Sequence, residues 1–207
     1  MEISYKKSML LFTLEKIIEI NNYSPIDWNS YFKNNNPIIL EIGCGNGHFL
    51  INEAINNKDF NYIGIDIKKD RILKSHKKQT VHKLENILWI KGEAFFTLST
   101  LFRDSTIYKI YMTFPDPWHK RKNHKKRLFN ENFLNLLLTK LNNNGEFFFV
   151  SDSLDYYNWC IDILKKKNIF YSHYEDFYLE KFYTSLFALK WKKENRAFFH
   201  FVIKKSF

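Results

Sequence analysis

A carboxylate set between two prolines, followed by a tryptophan and a dense run of cations, is the part of this sequence best suited to chemistry. The segment reads Phe114-Pro115-Asp116-Pro117-Trp118-His119. Lys120, Arg121, Lys122, Lys125, Lys126 and Arg127 then place six positive charges in eight positions, with no acid among them. Proline fixes φ, removes a backbone donor and pushes its predecessor towards extended geometry, so Asp116 is expected in a rigid, non-helical turn. A held carboxylate beside a stripe that attracts polyanions suggests a reaction on a nucleic acid, with the six cations as phosphate contacts. A Pro-rich turn next to a solvated basic face is the plainer alternative.

A second chemical cluster lies upstream. Glu41-Ile-Gly-Cys-Gly-Asn-Gly47 places Gly43, Gly45 and Gly47 in a GxGxG pattern, where glycine permits a tight turn and close approach of a ligand to the backbone. A dinucleotide fingerprint has different spacing, and Glu41, two residues ahead of Gly43, would oppose a pyrophosphate and favour a cation. Asp66 stands where an acid takes ribose hydroxyls, and Glu93 could receive an adenine amino group. An adenosine, a free ribose and a cationic tail describe S-adenosylmethionine; a nicotinamide cofactor and a purely structural glycine turn are the other readings. Cys44 reads as a small turn residue and His48 as a polar helix start.

The order Pro-Asp-Pro-Trp bears on the acceptor. An exocyclic amine must lose a proton, and sites of that kind usually carry an acid, Asn or Ser before Pro-Pro and an aromatic. A ring nitrogen such as guanine N7 already has an in-plane lone pair and needs orientation instead. Asp116 is therefore assigned an orienting and electrostatic role, with general base as the second reading. Trp118 suits either stacking on a flipped-out base or core packing. His119 and His124 suit phosphate or solvent.

The elements that position these groups can be read from apolar runs. Residues 38–42, 62–65, 87–90, 107–114 and 146–150 are short apolar strands, and 47–57, 68–80, 94–102, 129–141 and 155–167 have helical periodicity. Continuous apolar strands alternating with helices imply a parallel sheet covered on both faces. Residues 170–178 and 197–203 lack an intervening helix and read as an antiparallel pair. Met9, Leu10, Phe12, Leu14, Ile17, Ile18 and Ile20 predict an amphipathic leading helix over 8–20, and the polar stretch 21–36 predicts a loop. Glu41, Asp66, Glu93, Asp116 and Asp152 all fall at or just beyond strand carboxyl ends, the edge where open α/β sheets bind ligands.

Composition sets the outer limits. The 207 residues suit a single domain, with 1–36 as N-terminal helix and loop and 37–207 as the α/β core. A net charge of +10 favours a polyanionic partner. The cysteines, Cys44 and Cys160, are too far apart in sequence for a CxxC motif, which disfavours a disulfide scaffold or structural zinc. The apolar run from Met9 is too short to span a bilayer, so a cytoplasmic protein without membrane association is expected.

Leu40-Glu-Ile-Gly-Cys-Gly-Asn-Gly47, Gly64-Ile-Asp66, Phe114-Pro-Asp-Pro-Trp-His-Lys120, the basic run to Arg127 and Ser151-Asp152 together resemble bacterial tRNA (guanine-N7)-methyltransferases. The resemblance is good over roughly residues 37–155. It implies a Rossmann-like class I methyltransferase fold: a mostly parallel seven-stranded sheet, an antiparallel last strand pair and helices on both faces. It also implies methylation of guanine N7 in the tRNA variable loop, usually position 46, with S-adenosylmethionine and no metal. Glu41, Asp66, Glu93 and Asp116 resemble the family's cofactor-contacting acids, Asp116 also its catalytic residue. Lys120, Asp152 and Thr184 resemble substrate-binding positions. The chain departs from the pattern at Asn123, where His is common, at Phe187, where Glu is common, and over Trp191–Asn195, which lacks the usual glycines. A methyltransferase acting on another RNA, DNA or protein, and a non-catalytic RNA-binding relative, are the alternatives. The oligomeric state is not readable.

Overall fold

The computed structural model describes residues 9–173, 194 and 197–205. Five parallel strands form the centre: β3 (Ile38–Ile42), β4 (Asn61–Asp66), β5 (Ile87–Lys91), β6 (Ile107–Thr113) and β7 (Leu141–Ser151). Their apolar runs are buried on both faces, which requires helices on each side. α2 (His48–Asn56) and α3 (Lys69–His82) cover one face, where Phe49, Leu50 and Ile72 pack with Tyr62 and Trp89. α4 (Ala94–Leu101), α5 (Glu131–Lys140) and α6 (Leu154–Lys166) contribute to the core on the other, around Phe129, Phe147, Phe149 and Phe201. Side-chain caps start these helices: Glu93 for α4 and Ser153 for α6, each just after a strand end, and Asn130 for α5, after the long loop that follows β6.

The sheet order is β2-β1-β5-β4-β3-β6-β7-β8. From β3 the chain steps outward through β4 to β5, then returns to the other side of β3 as β6. The order therefore reverses between β3 and β6, and their carboxyl ends open the crevice where such sheets bind ligands. β8 (Phe199–Lys204) lies antiparallel to β7 at one edge. Of the predicted last pair, Ser172 makes an antiparallel bridge to Val202, and residues 174–178 fall outside the described residues.

The N-terminal segment corrects the sequence reading. Residues 9–20 form a hairpin of β1 (Met9–Phe12) and β2 (Ile17–Ile20), and β1 pairs antiparallel with β5. Among the described residues the sheet has eight strands, the hairpin supplying two that the sequence reading did not include. The physical reason is burial: Met9, Leu11 and Phe12 are all enclosed, so the run is covered on both faces where an amphipathic helix would leave one face wet. The polar loop over 21–36 also contains a one-turn helix, α1 (Trp28–Phe32), capped by Asp27, which buries Trp28 and Phe32. Among the described residues no helix is long and apolar enough to cross a membrane.

Candidate active site

A cleft of about 340 Å³ opens at the β3/β6 switch point. Gly43 from the glycine loop, Asp66 from β4, Glu93 from the β5–α4 junction, and Thr113, Asp116 and Trp118 from the end of β6 all line it. The volume lies within the range of small-molecule and cofactor sites. Gly43, Asp66, Glu93, Asp116 and Trp118, all singled out in the sequence and drawn from four separate chain segments, therefore meet at one place.

The glycine loop is shaped from below. Gly43, Gly45 and Gly47 all have left-handed φ values. A Cβ on Gly47 would sit 2.5 Å from the Trp89 ring and 2.8 Å from Ser75, so side chains are excluded from that position by the core. Gly43 differs: a Cβ there would meet nothing within 4 Å, because it faces the cleft. Trp89 is itself fixed by Nε1 donating to Gln79 Oε1 at 2.9 Å, with Gln79 Nε2 donating to the carbonyls of Leu84 and Ile87.

Two of the acids on this side, Asp66 and Glu41, are enclosed, and Glu93 is partly buried. Asp66 is 6% exposed and clasps two elements: Oδ2 accepts from Gly45 N at 3.0 Å and Oδ1 from Lys68 N at 2.8 Å, with Arg71 Nη1 3.9 Å away. Glu93 accepts from the amides of Phe95 and Phe96, so it caps α4 while lining the cleft. Glu41 lies just behind the lining residues and is 2% exposed; its Oε1 accepts from Thr113 Oγ1 at 2.9 Å, and Oε2 is buried with no hydrogen-bond partner among the described residues. Burial pushes its carboxyl up to about 8; the Thr113 hydrogen bond opposes the rise and the Asp66 charge adds to it. A buried carboxyl with an unpartnered oxygen at this edge fits a cationic ligand group, whose charge would favour its ionised form. Gly43 supplies the open backbone approach that an adenosyl ligand needs. The residues present thus fit S-adenosylmethionine, with Glu41, Asp66 and Glu93 on its side of the cleft.

The other wall is the loop from Phe114 to Arg127. Asp116 is exposed, and among the described residues no group pairs with its carboxylate. Phe114 and Trp118, on either side of Pro-Asp-Pro, have φ of 49° and 48°, a left-handed region that costs aromatic residues about 1–3 kcal/mol each. The turn is therefore strained as well as stiff, and something must hold it. Phe114 N donates to Val150 O at 2.8 Å, extending the β6–β7 ladder. Arg127 holds the far end, with Nε donating to Pro117 O at 2.9 Å.

Arg127 corrects the sequence reading of the basic run. It was expected to touch phosphate, but it is 2% exposed, with its guanidinium against the rings of Tyr156 (4.9 Å) and Trp159 (5.4 Å). It also donates to Asp155, and this bond holds the Asp155 carboxyl below the usual range. His124 joins the same cluster, 3.1 Å from Arg127 Nη2 and edge-on to Trp159, instead of facing solvent. Lys120, Arg121, Lys122 and Lys125 are exposed around a 3-10 helix over Arg121–Lys126. Lys126 Nζ lies 4.7 Å over the Trp118 ring, and both line the cleft; Trp118 is 36% exposed, so it is no core residue. Lys120 and Asp152 are not among the residues that line the cleft, and Thr184 lies outside the described residues. Sequence reasoning missed Thr113, Arg71, Tyr156 and Asp155; of these, Arg71 alone carried a signal, a cation five residues after a strand-end acid.

Known proteins extend this picture. Residues 35–200 match the family described as "Putative methyltransferase". The tRNA (guanine-N(7)-)-methyltransferase of Buchnera aphidicola subsp. Schizaphis graminum is 33% identical over 160 residues, covering 73% of this chain and 67% of that protein. The protein of the same name from Francisella philomiragia is 32% identical over 161 residues, covering 78% and 70%. A solved structure titled as an antibiotic-related methyltransferase superposes with a TM-score of 0.67 at 20% identity, over 96% of this chain and all of that one, which is a likeness of fold.

Proposed function

The chain belongs to the tRNA (guanine-N7)-methyltransferase family, and from that premise we propose that it methylates N7 of a guanine in the tRNA variable loop. S-adenosylmethionine is the methyl donor. The observation that carries the reading is the placement of Asp116: an unpaired, exposed carboxylate at the mouth of the cleft whose other wall fits that cofactor.

Bound there, the cofactor would supply a methyl group on a cationic sulfur for transfer to a nitrogen lone pair, with a neutral thioether as the leaving group. Glu41, Asp66 and Glu93 bind and orient it from the glycine-loop side. Asp116 acts on the acceptor. Guanine N7 carries no proton, so no base is needed to expose its lone pair. An exposed carboxylate can accept from guanine N1–H and the N2 amino group, fixing the base, and it opposes the positive charge that the ring gains as N7 is alkylated. Holding the base in a near-attack arrangement removes much of the entropic barrier. Trp118, cleft-lining and half-exposed, offers a face on which an unstacked base can rest. Lys120, Arg121, Lys122 and Lys125 are free to neutralise the RNA backbone, and Asp152 and Thr184 are assigned to substrate binding.

Incubating the protein with S-adenosylmethionine and a tRNA transcript, then digesting the RNA for mass spectrometry, should yield N7-methylguanosine. A protein that binds tRNA yet yields none would be an RNA-binding relative instead.

A further inference from the structure

Resting on the reading that tRNA is the substrate, we infer that the exposed face of α3 beside the glycine loop is a second docking surface for the RNA backbone. Residues 68–83 carry seven Lys or Arg and one acid, Asp70. Ile72, Ser75 and Gln79 turn one side of α3 into the protein. Lys74, Lys77, Lys78 and His82 fall on the remaining face at helical spacing and, with Asn46 and His48, line a groove of about 390 Å³.

The groove is built as well as charged. Lys78 Nζ donates to Asn46 O at 2.7 Å and lies 2.7 Å from His48 Nε2, tying α3 to the glycine loop and to the start of α2. Among the described residues no carboxylate pairs with Lys74, Lys77 or Lys78. Burial and the neighbouring Lys74 both push the Lys78 ammonium below its ordinary value, and burial and Lys78 do the same to His48. Cations gathered without an anion repel one another, and a phosphodiester would relieve that repulsion.

Placement favours the backbone of the same RNA. Arg71, one turn before Lys74, lines the catalytic cleft, so the basic face runs outward from it. The 3-10 helix carrying Arg121, Lys122 and Lys125 belongs to the cleft's other wall. A strand whose target base enters the cleft would be held on both sides.

The test is the double variant Lys74→Ala/Lys77→Ala, both exposed positions clear of the cleft. Binding to a tRNA transcript should weaken about tenfold at low salt, and the slope of log affinity against log salt should fall by one to two units, at roughly 0.7–0.9 per phosphate contact. Affinity for S-adenosylmethionine should hold, and Lys74→Arg/Lys77→Arg should restore tRNA binding. Unchanged tRNA affinity and slope in an active double variant would overturn the inference while leaving the function intact. Failure of the unsubstituted protein to bind tRNA at low salt would overturn both.

Discussion

On the glycine-loop side of the cleft, the acids are tied into the fold: Asp66 is buried and clasps Gly45 and Lys68, the partly buried Glu93 caps a helix and Glu41 is enclosed behind Thr113. On the other side Asp116 stands in solvent, on a turn strained at Phe114 and Trp118 and held at Pro117 by one buried guanidinium. The first wall is determined by strand order, since any chain with these strands brings those ends together. The second depends on a local latch reaching from Arg127 to α6. Binding of a small cofactor needs a preformed pocket, whereas acceptance of a base from a large RNA needs an exposed, correctly aimed group. The contrast suits a two-substrate reaction.

Breaking the exposed wall at its centre should have the largest effect. Asp116→Ala should lower methyl transfer by on the order of 10²-fold or more while melting within a few degrees of the parent, because no described group depends on its carboxylate. Full activity in this variant would remove the role assigned to it. The buried wall should respond oppositely, through stability. Gly47→Ala forces a Cβ to 2.5 Å from Trp89 at a left-handed φ and should cost at least about 2 kcal/mol in denaturant unfolding. Gly43→Ala meets open space, so it should cost only about 1 kcal/mol and act instead on cofactor affinity, measured by calorimetry.

The latch separates positioning from charge. Arg127→Met leaves Pro117 O without its donor and should lower methyl transfer roughly tenfold or more through misplacement of the turn. The salt dependence of tRNA binding should keep its slope. Lys125→Ala should do the reverse, with a slope shallower by a little under one unit and near-normal turnover at saturating tRNA. If both variants change the slope alike, the distinction between buried and exposed members of the basic run fails.

A smaller effect sharpens the enclosed side. Glu41 is held to about 8 in the folded protein and returns to about 4.5 when unfolded. Between those values the folded state binds the extra proton, so this group's contribution to stability is full below pH 4.5 and is lost as pH rises towards 8. Glu41→Gln should flatten that part of the pH dependence in the cofactor-free protein, measured by thermal melts from pH 5 to 8.5. An unchanged profile would show that Glu41 is ionised in the folded state.

The parts legible in sequence are those set by short-range pattern. β3 to β7 announce themselves as apolar runs, and the acids at their ends need only the parallel topology to converge. Parts that depend on distant neighbours were not legible. The 9–20 hairpin has apolar spacing compatible with a helix, and its turn, Thr13-Leu-Glu-Lys16, is closed by Thr13 bonding Lys16 without a glycine, proline or asparagine to mark it. Arg127 looks like its five cationic neighbours until Asp155, Tyr156 and Trp159, some thirty residues later, are packed around it. Glu41 could be read as an acid facing a cation, but its bond to Thr113 follows from β3 and β6 lying side by side.

The central claim, that the cleft delivers a methyl group to guanine N7 in the tRNA variable loop, is tested most directly with two transcripts differing only at the variable-loop guanine. With S-adenosylmethionine, nucleoside mass spectrometry should find N7-methylguanosine in the guanine transcript and none when that base is adenine. Equal methylation of both, or a methylated nucleoside other than N7-methylguanosine, would contradict it.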